Sequence, residues 1–99
     1  MSEIHPSDMP EAERAKVLRT FMPDGRIKAM PVKWSKKYVI LDEIAQAFEP
    51  GIKYPERAVN AILRSYWDDY VTLRRYLVDM KMLDREQGIY WRIGGSVEL

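Results

Sequence analysis

The stretch from Asp68 to Glu86 limits the possible folds more than any other part of the chain. Tyr70, Leu73, Leu77 and Met80 fall on one face of a helix by the i, i+3, i+7, i+10 rhythm. Asp68 stands where a carboxylate can accept from the free N–H groups of a first turn, and is read as the N-cap. Thr72, Arg75 and Asp79 take the opposite face, with Arg74 on a flank. Beyond Lys81 the chain runs through Met82-Leu83-Asp84-Arg85, turns near Glu86-Gln87-Gly88, and returns as Ile89-Tyr90-Trp91-Arg92-Ile93. Gly88 suits the turn, and the aromatic and β-branched residues after it suit a strand. A helix with outward arginines running into a short hairpin matches the recognition helix and wing of a winged helix-turn-helix.

The remaining segments fit that plan. Residues 1–7 are expected to be a flexible tail, and 8–93 a single domain. Asp8 and Glu11 have capping-box spacing, so a helix is expected from Met9 to Met22, ended by Pro23-Asp24-Gly25. Arg26-Ile27-Lys28-Ala29-Met30 alternates polar and apolar up to Pro31, which predicts a short strand. Ser35 is expected to cap a helix from Lys36 to Phe48, with Ile40, Leu41, Ile44 and Phe48 inward and Pro50-Gly51 beyond it. Tyr54-Pro55-Glu56 opens a third helix, Pro55 sitting where its missing N–H costs least, with Val59, Ile62, Leu63 and Tyr66 as its stripe. Only Ser65-Tyr66-Trp67 separates it from the recognition helix, the spacing of a helix-turn-helix. Residues 94–99 are expected to fray. The predicted class is α+β, mainly helical and winged helix-turn-helix-like: helix-strand-helix-helix-helix-hairpin with a small three-stranded antiparallel sheet.

Charge tempers the functional reading. The chain has 99 residues and a formal net charge of +1, whereas a dedicated DNA-binding domain usually carries a clear basic excess. Only the distribution of charge can therefore support a nucleic-acid role. Arg26, Lys28, Lys33, Lys36 and Lys37 fall within residues 25–41, which contain no acid. They form either a phosphate-contacting patch or a solvated basic face over Trp34. Arg74, Arg75 and Thr72 could meet base edges or phosphates. Asp68, Asp69, Asp79, Asp84 and Glu86 lie among them, and an Arg75–Asp79 intrahelical pair is the simple alternative. Arg85 and Arg92 would flank the wing.

Other chemistry finds little support. With no cysteine, disulfides, thiolate zinc sites and cysteine nucleophiles are ruled out. The one histidine, His5, has no partner in sequence, and Asp68-Asp69 reads more simply as a helix start than as metal ligands. No nucleophile elbow, phosphate-binding glycine loop or metal-ligand spacing appears, so neither an enzyme nor a cofactor is expected. No apolar run is long enough to cross a bilayer, and Met1-Ser2-Glu3-Ile4-His5-Pro6 lacks a signal-peptide pattern, which predicts a cytoplasmic protein. Trp34, Tyr66, Trp67, Tyr70, Tyr76, Tyr90 and Trp91 serve either as packing residues or as a protein-binding surface.

Longer runs carry a family likeness. Tyr54 to Leu63, Asp68-Asp69-Tyr70-Val71-Thr72-Leu73-Arg74-Arg75-Tyr76-Leu77-Val78-Asp79, and Leu83-Asp84-Arg85-Glu86 with Gly88 and Tyr90 resemble the bacterial domain of unknown function numbered 2087. Phe21 to Pro31, followed by Lys36-Lys37, resembles that family's opening. The resemblance implies a transcription-associated role, since members are often joined to helix-turn-helix regulator domains. It also implies that such a module can sense or bind something while another domain contacts DNA. Lys37, Tyr54, Glu56, Asn60, Asp69, Tyr70, Arg74 and Arg75 are the family-typical positions, where the resemblance would put a ligand site. The expected function is a transcription-associated regulatory or DNA-binding module of the winged-helix type, with double-stranded DNA as partner. The alternative is an interaction or dimerisation module that pairs with a regulator protein or a second copy, without direct DNA contact.

Overall fold

Gln87 and Gly88 both take positive φ, 50° and 78°, the left-handed backbone that a two-residue hairpin needs to match the twist of its strands. Glycine adopts it without a Cβ penalty. In the computed structural model, which describes residues 5–96, this turn joins β2 (Leu83–Glu86) to β3 (Ile89–Arg92), with Glu86 opposite Ile89 and Leu83 opposite Arg92. A third strand, β1 (Lys53–Pro55), lies antiparallel on the other side of β3, with Tyr54 opposite Tyr90, giving the order β1-β3-β2. Before and between the strands come a 3-10 turn (Pro6–Asp8) and the helices α1 (Glu11–Phe21), α2 (Trp34–Ala45), α3 (Glu56–Arg64) and α4 (Tyr70–Asp79). From α2 onward the order is helix, strand, helix, helix, hairpin, a winged-helix-like α+β arrangement with α1 in front.

The expected strand at 26–30 is therefore absent, and its place in the sheet belongs to β1. The Ile27 side chain is buried, as the alternation implied, but its N–H donates to the Tyr66 carbonyl at 2.8 Å, while Lys28 N–H donates to the Phe21 carbonyl at 2.8 Å. The backbone bonds of this segment go to helix ends, which leaves no ladder to form. Tyr54 and Pro55, read as the opening of α3, instead belong with Lys53 to β1 and pair with β3. Pro55 closes β1 and stands at the N-cap of α3, so the strand passes into the helix without a loop.

Several helix ends also differ from expectation. Met9 precedes Pro10 and is held extended (φ −60°, ψ 134°), as the proline ring demands. Asp8 accordingly belongs to the 3-10 turn rather than to a capping box, and α1 starts at Glu11. Helix α2 begins at Trp34 with Lys33 at its N-cap, leaving Ser35 in the first turn, and it gives way after Ala45 to a turn through Phe48. At α4 the capping residue is Asp69, whose Oδ1 accepts from Thr72 N–H at 3.3 Å. The Asp68 side chain is 97% exposed and pairs with Arg26 instead.

The core gathers on α2. Val39, Ile40, Leu41, Ile44 and Phe48 are fully buried, and around them pack Val59 and Leu63 of α3, Leu73 and Leu77 of α4, then Met82, Leu83 and Tyr90. Each such side chain contributes about 1.5–3 kcal/mol by leaving water. Of the other aromatics, Trp34 is exposed, whereas Tyr66, Trp67, Tyr70 and Tyr76 are half-buried against the core. Among the described residues, no helix is long and apolar enough to cross a membrane.

Helix α4 ends in a Schellman motif. Met82 N–H donates to the Leu77 carbonyl at 3.0 Å and Lys81 N–H to that of Val78 at 3.1 Å, and the Met82 and Leu77 side chains are both buried. Lys81, at φ 61°, holds the left-handed position that glycine usually fills. Lys81→Gly is expected to raise stability by about 0.5–1 kcal/mol, because relief of the Cβ clash exceeds the added chain entropy. A higher urea midpoint at unchanged slope would show this. A midpoint that falls would mean that the Lys81 side chain supports the turn.

Candidate nucleic-acid interface

The outward face of α4 carries Val71, Arg75 and Asp79, one helical turn apart and all exposed. Thr72 lies beside them, half-buried, its N–H held by Asp69. The hairpin adds Asp84, Arg85, Glu86 and Gln87, all exposed at its end. The Tyr90 hydroxyl beside the Arg85 guanidinium, with Glu56 and Asp79 contributing, holds that group above the ordinary arginine range. Among the described residues no ion pair joins Arg75 to Asp79. Arg75 rests 5.9 Å from the Tyr76 ring centroid and remains available to a partner.

Arg74 faces the other way. Its guanidinium donates to Asn60 Oδ1 on α3, and its Nε lies 4.0 Å from Glu56 Oε1. The same Glu56 oxygen accepts from the Tyr90 hydroxyl at 2.8 Å. Three of the family-typical positions, Glu56, Asn60 and Arg74, thus meet in one polar joint between α3, α4 and β3. The others serve elsewhere. Asp69 caps α4, Tyr54 OH accepts from Glu49 N–H at 2.8 Å, Lys37 Nζ sits 4.7 Å over the Tyr76 ring, and Arg64 stacks 4.6 Å from the Tyr70 ring.

Two more of the expected phosphate ligands are engaged within the chain. Arg26 donates to the Arg64 and Ser65 carbonyls at 3.1 and 2.9 Å and pairs with Asp68 at 3.0 Å, so it satisfies the C-terminal carbonyls of α3. Arg92 donates to the carbonyls of Gly94 (2.9 Å), Phe48 (3.2 Å) and Ser96. Lys28 and Lys36 are exposed, the latter 5.9 Å over the Phe21 ring. The basic segment is consequently divided: Lys28 and Lys36 face solvent, Lys37 lies along Tyr76, and Arg26 is a structural cap.

Sequence reasoning missed the most deeply buried charge. Asp42 on α2 is fully buried and accepts from Arg14 at 3.0 Å, from Ser96 N–H at 2.6 Å and from Ser96 OH at 2.7 Å. Arg14 also bonds Glu43 at 3.1 Å. This network ties α1 and residues 94–96 onto α2, so that part of the segment expected to fray is held across the helix, while 97–99 lie outside the described residues. Gly95, at φ 88°, lets it pass, since a Cβ there would stand 3.0 Å from Asp42 Oδ1. Burial, with Asp42 reinforcing it and Arg14 opposing, raises the Tyr38 phenol above its ordinary value. A signal was present: α2 is apolar at 39, 40, 41, 44 and 45, which leaves little outer face for Asp42 to occupy. Among the described residues no group of His, Asp or Glu is placed to hold a metal ion.

Comparison with known proteins adds one finding. Neither the curated proteins nor the solved structures gave a match. One family's sequence pattern does match, over residues 26–92. That span takes in α2, the two helices of the candidate interface and the whole sheet, and leaves α1 and Ser96 outside. The chain therefore belongs to the bacterial family described as an uncharacterized protein conserved in bacteria, domain of unknown function 2087.

Proposed function

We propose that this is a transcription-associated, winged-helix-like module that binds duplex DNA through the outward face of α4 and the tip of the hairpin. The observation that carries the reading is the exposed Arg75 on the second helix of a helix-turn-helix, flanked by Thr72 and followed by a hairpin whose Arg85 is also exposed. On this reading Arg75 meets base edges or phosphate, Arg85 meets phosphate beside the groove, and Lys28 and Lys36 add long-range attraction. A second reading has its own support. Arg26, Arg74 and Arg92 are bonded within the chain, and the net charge is only +1. A protein-facing surface needs no basic excess, so a partner-binding or dimerising role fits the same face.

Fluorescence anisotropy with a random-sequence duplex across a salt series decides between them. The DNA reading expects micromolar affinity at low salt that falls steeply as salt rises. In Arg75→Ala/Arg85→Ala the salt slope should flatten by about 1 for each phosphate contact removed. No binding at low salt by the folded protein would overturn the DNA reading and leave the partner-binding one.

A further inference from the structure

We propose that the groove between α1 and the start of α2 is a docking site for a short acidic peptide carrying an apolar anchor. This rests on residues outside the α4 face and does not depend on DNA binding. Two adjoining concavities, about 310 and about 220 Å³, share Met9, Glu13, Lys33 and Ser35. The first extends toward His5 and Pro6, and the second runs along α1 to Phe21. Met9, Val17 and Phe21 give the groove an apolar floor, and Lys16, Lys33 and Lys36 supply its charged lining against the single acid Glu13. Lys36 Nζ lies 5.9 Å over the Phe21 ring, so a cation stands directly above apolar surface.

The flank is equally unusual. Val32 is 94% exposed and Trp34 52% exposed, side by side with the lysines in sequence. Trp34 is nonetheless held, with the rings of His5 and Tyr38 each 5.9 Å from it. An exposed aromatic that is already ordered loses little entropy on binding, which is how Trp comes to dominate interfaces. Charge complementarity selects an acidic partner, because the lysines outnumber the acid in the lining. Concavity selects a peptide over a flat surface. An α1 of 11 residues gives a groove roughly 16 Å long, enough for a few extended residues with one aliphatic or aromatic side chain on the Met9–Phe21 floor.

The test titrates the full chain with a short Asp/Glu peptide carrying one Leu and one Phe, and follows backbone amide shifts by NMR. Parallel titrations use the same peptide with lysines in place of its acids, and anionic phospholipid vesicles. The proposal expects saturable shifts confined to residues 5–21 and 32–38, none with the lysine peptide, and at least tenfold weaker binding in Lys33→Glu/Lys36→Glu. That variant should keep its fold, since Lys33 and Lys36 are exposed at the N-terminal end of α2, where the helix dipole favours acids. Arg75→Ala should bind the peptide unchanged, which separates this site from the DNA-binding face. Absence of shifts, equal binding of the lysine peptide, or response to vesicles alone would overturn the proposal. So would shifts of these amides that follow protein concentration without peptide, the mark of a second copy in the groove.

Discussion

Asp42→Ala is expected to lose about 3–4 kcal/mol of folding stability, a large share of what a domain of this size possesses. The carboxylate is fully buried and accepts hydrogen bonds from three donors within 3.0 Å, the Arg14 guanidinium and both the N–H and the hydroxyl of Ser96. Alanine removes all of these acceptors together, and hydrogen bonds to a charged group contribute about 1.5–3 kcal/mol each, although water meets part of the loss at the exposed Ser96. Arg14 fares better, because Glu43 remains 3.1 Å away on a more exposed side, and that keeps the loss below the upper limit for a broken buried pair. Urea unfolding followed by far-ultraviolet circular dichroism measures the loss. Arg14→Met, alone and combined with Asp42→Ala, then isolates the part carried by the pair, expected at about 1–3 kcal/mol for groups in one network. A loss under about 1 kcal/mol would mean that water replaces the carboxylate, so that α1 and residues 94–96 are only loosely attached.

How much of this was legible depended on the length over which a pattern could repeat. Helix α4 and its hairpin were readable because Tyr70, Leu73, Leu77 and Met80 span three turns and Gln87-Gly88 is turn chemistry with a known backbone requirement. Strand β1 was not, because Lys53, Tyr54 and Pro55 are too few to show alternation and the proline pointed to a helix start. Residues 26–30 do alternate, but the Tyr66 and Phe21 carbonyls claim the N–H groups a strand would have used, and those carbonyls come from tertiary placement. Asp68 and Asp69 were equivalent as caps by composition. The choice fell to the partner of Asp68, an arginine 42 residues earlier in the chain. The outward direction assigned to Arg74 failed for a similar reason. A flank position on a helix wheel is exposed or covered according to where the neighbouring helix lies, and α3 covers it.

That covering makes Arg74 and Arg75, adjacent in sequence, separable by experiment. Arg74→Ala is expected to cost about 2–3 kcal/mol in stability and to leave the DNA affinity of the folded protein within twofold of the parent. The Arg74 side chain is 17% exposed, and it connects α4 to Asn60 and Glu56 of α3, where the same Glu56 oxygen also accepts from the Tyr90 hydroxyl of β3. Hydrogen bonds to charged groups contribute about 1.5–3 kcal/mol, and alanine leaves Asn60 and Glu56 facing a gap. Arg74→Lys should recover less than half of the loss, since one ammonium cannot span the two acceptors as the guanidinium fork does. Arg75→Ala should behave in the opposite way, with stability within about 0.5 kcal/mol of the parent and duplex binding weakened with a shallower salt slope. Measuring urea midpoints and anisotropy on the same preparations gives a two-by-two outcome. If Arg74→Ala stayed fully stable while losing tenfold or more in affinity, both arginines would face the nucleic acid and the α3–α4–β3 joint would not be what holds Arg74. If Arg75→Ala changed neither quantity, the outward face of α4 would carry no DNA contact, and the partner-binding reading of that face would stand in its place.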